Sequence, residues 1–332
     1  MVFQSWMEIL RDPRSILNQT SQPRPQPSST SNTSKMNGLT YVYYKTIVVI
    51  IRFLWDVISF VVRRPSPTPD GVLHIPSRDS GRTIKAHLYH SSSAASGPQP
   101  VLLNFHGSGF ILPHHGTDDE FCRRVSRATK YTVVDCSYRL APENPFPAAL
   151  NDVEDAVNYI LSRPDEYDAT HFSIGGFSAG GNLSLAASAC LFPPATFRSL
   201  IAFYPALDLS SPAKSKIAPN PAGMPIPAPL ARLFNTCYVH AGIDRRDPRI
   251  SPRFAELERF PRRMLVITAD CDTLAPEAEE LATKLQQRQG WHVVCERMES
   301  CNHGWDKHTR AGPPQLQAKE RAYGLAIDLL KE

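Results

Sequence analysis

The stretch that decides the fold of this chain is residues 171–190, which read HFSIGGFSAGGNLSLAASAC. Its first residues are typical of a short buried strand, and its last nine are typical of a helix. Between them, Gly176-Phe-Ser-Ala-Gly180 matches the pattern G-x-S-x-G, in which a serine occupies a sharp strand-to-helix turn. Glycines flank such a turn because a side chain would collide with the neighbouring strand or helix. We predict that Ser178 is a nucleophile exposed in a cleft. The alternative is a tight βα turn without a catalytic role.

Short apolar strands alternate with helical stretches from about residue 70 onward. A hairpin is predicted at 72–75 and 83–89, followed by strands at 101–105, 131–136, 172–176, 199–203, 264–268 and 292–296 and by helices near 117–129, 147–162, 178–191, 275–289 and 314–331. Apolar strands separated by helices of this length indicate a mostly parallel sheet with helices on both faces. The proline-rich residues 206–250 interrupt the alternation, and we interpret them as a lid inserted into a catalytic domain that spans 65–332.

The charge of the chain is concentrated near its N-terminus. Of the formal charge of +4, residues 1–64 contribute +5, from eight Lys and Arg against three Asp and Glu, which leaves −1 for the remainder. A nearly neutral catalytic body gives no electrostatic reason to expect nucleic-acid binding. The seven cysteines are scattered without a C-x-x-C pair, which argues against a disulfide framework and a zinc site and favours a reducing, cytoplasmic location.

The N-terminal region contains two different segments. Residues 1–40 are predicted to be a disordered extension, because 18–38 are rich in Ser, Thr, Pro, Gln and Asn. Residues 41–64 are predicted to be an apolar helix, and within it the run 41–62 is long enough to span a bilayer. Charged residues interrupt this run, although Arg52 and Asp56 could pair on one helix face. Three interpretations stay open: a cap helix over the active site, interfacial membrane association, and a membrane span.

An activated serine needs a base and a carboxylate that orients the base. The strand predicted at 264–268 is followed by two acids, of which Asp272 is better placed than Asp270 to reach a cleft. His303 follows the last predicted strand on a loop with Gly304. The resulting order Ser, Asp, His along the chain is the order expected of the fold in which this strand-to-helix turn occurs. His308 is a weaker candidate for the base, and His292 is predicted to lie within a strand.

A glycine-rich loop follows the strand at 101–105 and supplies candidate oxyanion donors. The backbone N–H groups of Gly107 and Ser108, with that of Ala179 after the nucleophile, could bind the oxygen of a tetrahedral intermediate. His106 is predicted to brace this loop rather than to act as a second base.

Taken together, these motifs resemble the hormone-sensitive-lipase-like group of α/β-hydrolases, which includes arylacetamide deacetylases and many carboxylesterases. The motifs that carry the resemblance are His106-Gly-Ser-Gly-Phe110, Tyr138-Arg-Leu-Ala-Pro-Glu143 with Phe146-Pro-Ala-Ala149, Gly176-Phe-Ser-Ala-Gly-Gly-Asn182, Asp247-Pro-Arg-Ile-Ser-Pro252, Ile267-Thr-Ala-Asp-Cys-Asp-Thr-Leu274 and His303-Gly304. The resemblance implies an α/β-hydrolase fold with a helical cap, formed by 41–62 and 206–250. It also implies Ser178 as nucleophile, Asp272 as acid, His303 as base, oxyanion donors at Gly107, Ser108 and Ala179, and neither a metal nor an organic cofactor.

Three positions depart from the pattern of that group. Ser108 replaces a glycine, Phe177 replaces the usual aspartate before the nucleophile, and Ala275-Pro276 replace a polar pair. None of these changes removes a catalytic group.

The function that we expect from the sequence is hydrolysis of an apolar or aromatic small-molecule ester through an acyl-serine. Acyl transfer or deacetylation in a biosynthetic pathway uses the same residues and is an alternative. A non-catalytic ligand receptor on the same fold is a third hypothesis, which the presence of His303 disfavours. The expected partner is the ester substrate, without nucleic acid. Peripheral membrane contact through 41–62 and a homodimer stay open.

Overall fold

The computed structural model of the protein describes residues 38–61, 67–92, 97–307 and 312–332. Most of the predicted disordered extension, residues 1–37, lies outside this part of the chain, and so does His308. The helix that was predicted over 41–64 begins at Gly38 and is described as far as Val61.

Eight strands form one sheet in the order β1-β2-β4-β3-β5-β6-β7-β8. The strands are β1 (Gly71–Pro76), β2 (Thr83–Tyr89), β3 (Gln99–Phe105), β4 (Thr132–Cys136), β5 (Tyr167–Phe177), β6 (Ser199–Phe203), β7 (Arg263–Ala269) and β8 (His292–Met298). The helices are α1 (Gly38–Val61), α2 (Asp119–Ala128), α3 (Ala148–Leu161), α4 (Ala179–Cys190), α5 (Ala228–Tyr238), α6 (Ala275–Gln286) and α7 (Pro313–Lys331). Strand β2 is antiparallel to β1 and β4, and the other pairs are parallel. The predicted α/β-hydrolase fold class is confirmed.

The apolar strands bury both of their faces. Successive side chains of a strand point to opposite sides of the sheet, so that Leu103 of β3 packs in one core with Leu183 of α4. Leu102 packs in a second core with Phe121 of α2 and Tyr323 of α7. This two-sided burial explains why the central strands are continuous apolar runs instead of alternating ones.

Loops at the carboxyl ends of the parallel strands bring the candidate site together. Strands β3, β5, β7 and β8 end at residues 105, 177, 269 and 298, just before the candidate donors, nucleophile, acid and base. In parallel sheets these ends lie along one edge, where ligands bind. Residues far apart in the chain therefore meet at this edge.

The insertion between β6 and β7 is anchored by one side chain of the elbow helix. The amide of Asn182 donates to the carbonyl oxygen of Ala206 at 2.7 Å and to that of Ile250 at 2.9 Å. These two carbonyls lie at the two ends of the predicted lid, 206–250. Asn182 is fully buried, so these bonds tie both ends of the insertion to α4, the helix that begins directly after Ser178.

Helix α1 packs on the body through one face. The guanidinium of Arg52 donates to the carbonyl oxygens of Ile111 and Ala141 and binds the carboxylate of Glu143, which also pairs with Lys45. The partner that we considered for Arg52 on the helix, Asp56, is not its partner in these contacts. No helix in the described part of the chain is long and apolar enough to cross a membrane.

Candidate active site

Ser178 lies on the predicted turn between β5 and α4, in a backbone conformation that side chains rarely adopt. Its φ is +50° and its ψ is −113°, and its N–H donates to the carbonyl of Phe203 at 2.9 Å. The two glycines of the motif allow the tight approach. A Cβ at Gly176 would lie 2.5 Å from the backbone of Gly180, and one at Gly180 would lie 1.9 Å from the carbonyl oxygen of Phe105. The steric reason for these glycines is therefore present in the structure.

The structure brings Ser178, His303 and Asp272 into one hydrogen-bonded chain. Nε2 of His303 lies 2.9 Å from the Ser178 Oγ, and Nδ1 lies 2.6 Å from Oδ2 of Asp272. Asp272 is fully buried, and its other oxygen accepts the N–H of Leu274. An ionised carboxylate only accepts hydrogen bonds, so that Nδ1 carries the proton and Nε2 is free to accept the serine proton.

The other acids and histidines that were considered for the site lie elsewhere. Asp270 accepts the backbone N–H of Cys301 at 3.2 Å and the side-chain amide of Asn220 at 3.1 Å, so that it shapes the loop before the histidine. His292 is the first residue of β8 and is exposed.

The candidate oxyanion donors line the same cleft as the serine. Gly107, Ser108 and Ala179 all border it, and no acceptor within the described residues takes their backbone N–H groups. The hydroxyl of Ser108 is occupied, because it lies 2.7 Å from the Tyr138 hydroxyl and accepts the N–H of Phe110 at 2.8 Å. The departure at position 108 therefore adds a brace within the loop and leaves its backbone donor available.

His106 lies behind this loop and is almost completely buried. Its ring stacks on Tyr138 with 4.5 Å between ring centroids, and its Nδ1 is 3.1 Å from the carbonyl oxygen of Gly107. Burial lowers the pKa of His106 to about 3. The ring is therefore neutral at physiological pH, in agreement with a bracing role.

A buried charged cluster next to Phe177, the residue before Ser178, was not predicted from the sequence. The ammonium of Lys307 lies 2.8 Å from Asp118, 2.9 Å from Asp306 and 3.5 Å from the ring centroid of Phe177. Burial alone would lower the pKa of Lys307, but the two carboxylates outweigh it and raise the pKa. Phe177 thus replaces the usual aspartate at a place where other acids already surround a cation.

This cluster also supports the loop of the candidate base. Asp306 accepts the Tyr204 hydroxyl at 2.6 Å and the Tyr323 hydroxyl at 2.8 Å. The Tyr204 ring in turn contacts His303 edge to face, with 4.7 Å between centroids. The only sequence signal for this arrangement was the proximity of Asp306 and Lys307 to His303 in the chain.

The cleft above these residues has a volume of about 490 Å³ and mostly apolar walls. Its apolar lining comes from α1, from the glycine-rich loop after β3 (residues 106–112, called the oxyanion loop below) and from the insertion. It includes Trp55, Phe110, Leu112, Ile226, Leu230 and Phe234. Two lysines line it, and both are paired, Lys307 as described above and Lys216 with Glu277 at 2.6 Å. No arginine is among the lining residues in the described part of the chain.

The insertion is fastened to the loops of the acid and the base. The N–H of Asn220 donates to the Asp270 carbonyl at 2.7 Å, and the N–H of Met224 donates to the Asn302 side chain at 2.6 Å. Between them, Gly223 lies so close to Cys271 that an added Cβ would be 2.3 Å from the Cys271 Cβ. The insertion is thus held beside Asp272 and His303.

Asp208 lies at the start of the insertion and lines the cleft. Burial alone would raise the pKa of its carboxyl, but hydrogen bonds from the hydroxyl and N–H groups of Ser210 and Ser211 outweigh this effect and lower the pKa to about 2. The carboxylate therefore organises the first turn of the insertion.

One group in the described residues has the composition of a metal site. Ligand atoms of His87, His115 and Asp135 lie within 4.8 Å of one another. They already have protein partners: His87 contacts Asp119 at 3.1 Å, and the His115 Nε2 lies 2.9 Å from the carbonyl oxygen of Asp135. None of the three lines the cleft, so that the group stands apart from the candidate active site.

Comparison with known proteins agrees with this fold. The family described as "alpha/beta hydrolase fold" matches residues 102–307. An AB hydrolase superfamily protein of Schizosaccharomyces pombe is 30% identical over 257 residues, which are 73% of this chain and 71% of that protein. The chain therefore belongs to the α/β-hydrolase family, as its motifs predict.

Relatives with named activities lead to a more particular statement. An ethyl acetate hydrolase of Pseudomonas putida is 28% identical over 242 residues, 69% of this chain and 74% of that protein. A hyperthermophilic esterase of Pyrobaculum calidifontis superposes with a TM-score of 0.74 at 28% identity, over 89% of this chain and 98% of its own. This chain is an ester-hydrolysing enzyme, a carboxylic ester hydrolase.

Proposed function

We propose that this carboxylic ester hydrolase acts through a Ser178–His303–Asp272 triad on an apolar or aromatic ester of modest size. The observation that carries the proposal is the continuous chain of hydrogen bonds from Asp272 through His303 to the Ser178 hydroxyl. These hydrogen bonds lie at a cleft that is also bordered by Gly107, Ser108 and Ala179, whose backbone N–H groups have no acceptor among the described residues.

The mechanism follows from the polarity of these bonds. His303 takes the proton of the Ser178 hydroxyl as its oxygen attacks the ester carbonyl, and Asp272 stabilises the imidazolium that forms. The carbonyl oxygen becomes negative and is bound by the N–H groups of Gly107, Ser108 and Ala179. Loss of one such donor typically costs about 2.7–4 kcal/mol of transition-state stabilisation. His303 then returns the proton to the leaving alcohol, and a water molecule, activated by the same ring, releases the acid from the acyl-serine.

The cleft supports the proposed substrate class. A volume of about 490 Å³ accommodates a small organic molecule. Aromatic and aliphatic walls favour apolar acyl and alcohol groups through the area that they remove from water. An anionic phosphate would find no arginine among the described lining residues, and both lysines there are already paired with carboxylates.

The receptor hypothesis is less well supported by this geometry. A ligand receptor does not need a base held between a buried carboxylate and a serine at 2.6 and 2.9 Å. Acyl transfer would use the same residues, and no contact in the described cleft favours it over hydrolysis.

The test is turnover of a series of p-nitrophenyl esters of increasing acyl length, with Ser178→Ala beside the wild type. We expect Ser178→Ala to lose at least about three orders of magnitude in kcat and to lose labelling by a fluorophosphonate. Ser188→Ala is the matched control, because Ser188 is a buried serine of α4, the helix that follows Ser178, and its hydroxyl donates only to the Leu185 carbonyl. Equal, slow turnover by the wild type and Ser178→Ala would refute the proposal.

A further inference from the structure

Helix α1 leaves a broad apolar face uncovered. Eight of the thirteen large apolar side chains that are exposed in the described residues belong to this one helix, and each is at least 44% exposed. We call them the outer face: Leu39, Val42, Tyr43, Val49, Ile50, Phe53, Leu54 and Val57. They recur at the three- and four-residue spacing of one helix side. Scattered exposed apolar residues are ordinary, but a contiguous group marks an interaction surface.

The polar groups of α1 are arranged so that this face can be desolvated. Lys45 and Arg52 point toward the body and share Glu143 as a partner. Thr46 is exposed, but its hydroxyl donates to the carbonyl of Val42 within the helix. Asp56, near the helix end, is the one exposed acid among residues 38–57. Covering the outer face therefore leaves few polar groups without partners.

The sequence around α1 is basic at both ends. Lys35 precedes the helix and Arg63-Arg64 follow it. An apolar helix face between basic flanks fits an anionic bilayer surface, where each cation adds favourable electrostatic attraction. The same flanks disfavour a second copy of α1, because parallel and antiparallel pairing both place like charges together.

The outer face is continuous with the entrance of the cleft. Trp55 of α1 lines the cleft together with His114, and the centroids of their rings are 4.3 Å apart. Met224 of the insertion also lines the cleft and is 79% exposed. A surface bound through α1 would thus lie beside the cleft.

We propose that the outer face of α1 is a docking surface for an anionic membrane, on which the helix lies in the plane of the interface. An ester dissolved in the lipid would then reach the cleft past Trp55, and this second statement rests on the proposed function. Burial of Phe53 and Leu54 in the interface contributes through the apolar area that is removed from water.

The test is flotation of the full chain with vesicles of phosphatidylcholine, with and without phosphatidylserine. We expect binding that increases with phosphatidylserine and weakens with salt, because exposed charge pairs are screened. Phe53→Gln combined with Leu54→Gln is expected to weaken binding roughly tenfold for each side chain. Leu316→Gln is the matched control, because Leu316 on α7 and Leu54 are both 53% exposed, and it is expected to bind like the wild type.

Two further readouts separate the alternatives. Both variants are expected to keep wild-type turnover of a short soluble p-nitrophenyl ester, which shows that they fold. Flotation itself measures vesicle binding without turnover, so that its outcome is independent of the proposed function. Equal flotation of the double variant and the wild type would overturn the proposal. Absence of vesicle binding together with a dimer, measured by light scattering, that the double variant dissolves would also overturn it and would assign the face to a second copy.

Discussion

Replacing Ser108 with alanine tests how the oxyanion loop is held in place. The Tyr138 hydroxyl donates to the His106 carbonyl at 2.7 Å, so the Ser108 hydroxyl donates to the tyrosine oxygen and accepts the N–H of Phe110. Ser108 is 2% exposed, which excludes water as a ready replacement. The alanine variant therefore leaves a buried backbone N–H without an acceptor.

The expected loss in the free energy of unfolding follows from the one backbone N–H group that loses its acceptor. An unsatisfied buried donor costs about 1–3 kcal/mol, and we expect a loss of that size in the free energy of unfolding. Ser108→Gly, which restores the residue that is usual in the group, is expected to lose about 0.5–1 kcal/mol more through backbone entropy. The backbone N–H of residue 108 remains in both variants, so that kcat is expected to fall by roughly tenfold or less, compared with about 10²–10³ for loss of an oxyanion donor.

The assay combines urea denaturation with turnover of p-nitrophenyl acetate. Ser188→Ala is again the control. The Ser188 hydroxyl donates to a helix carbonyl, so that its removal leaves no N–H group without an acceptor, and alanine favours the helix. A Ser108→Ala enzyme that is as stable as the wild type, yet loses two or more orders of magnitude in kcat, would refute this reasoning. In that case the hydroxyl itself, and not the backbone, would bind the oxyanion.

Three further changes test the acid, the insertion and its fastening. Asp272→Asn is expected to lower kcat by roughly 10⁴, and Asp270→Asn is expected to lower thermal stability with a smaller effect on kcat; equal losses in kcat would contradict the assignment. Asp208, whose pKa is lowered to about 2 from 3.8, stabilises the fold fully above pH 3.8 and loses this contribution, about 2 kcal/mol, as pH falls toward 2. In Asp208→Asn the stability, followed by circular dichroism, should depend less steeply on pH between about 2 and 3.8. A pH dependence equal to that of the wild type would contradict this role of Asp208. Gly223→Ala is expected to raise KM by displacing the insertion from Cys271, whereas Gly324→Ala, where nothing lies within 4 Å of an added Cβ, should leave KM unchanged.

The local signals of the candidate site could be interpreted without coordinates. The glycines around Ser178 indicate that backbone segments approach too closely for a side chain, and any sequence that forms this turn needs small residues there. The continuous apolar strands indicated a sheet that is buried on both faces. Because Asp272 and His303 each follow a strand, they were expected at the edge of the sheet where the carboxyl ends of the strands lie. These signals depend on a few neighbouring residues, which is why they are readable from the chain.

The contacts of the charged side chains were not accessible in this way. The sequence suggested Asp56 as the partner of Arg52 because the two are four residues apart on a helix, but Arg52 binds Glu143 and two carbonyls of the body. The helix face that turns toward the body decides that choice, and Lys45 shares the same acid.

The candidate catalytic residues could be identified from the sequence alone, because each lies at a turn or a strand end that its neighbouring residues indicate. The surroundings of these residues became known only from the tertiary structure. They include the contacts of Lys307 next to Phe177, the hydrogen bonds of Asn182 to both ends of the insertion, and the exposed apolar face of α1. Turn chemistry is local, whereas the partner of a buried charge or an apolar face depends on which distant segments pack against it.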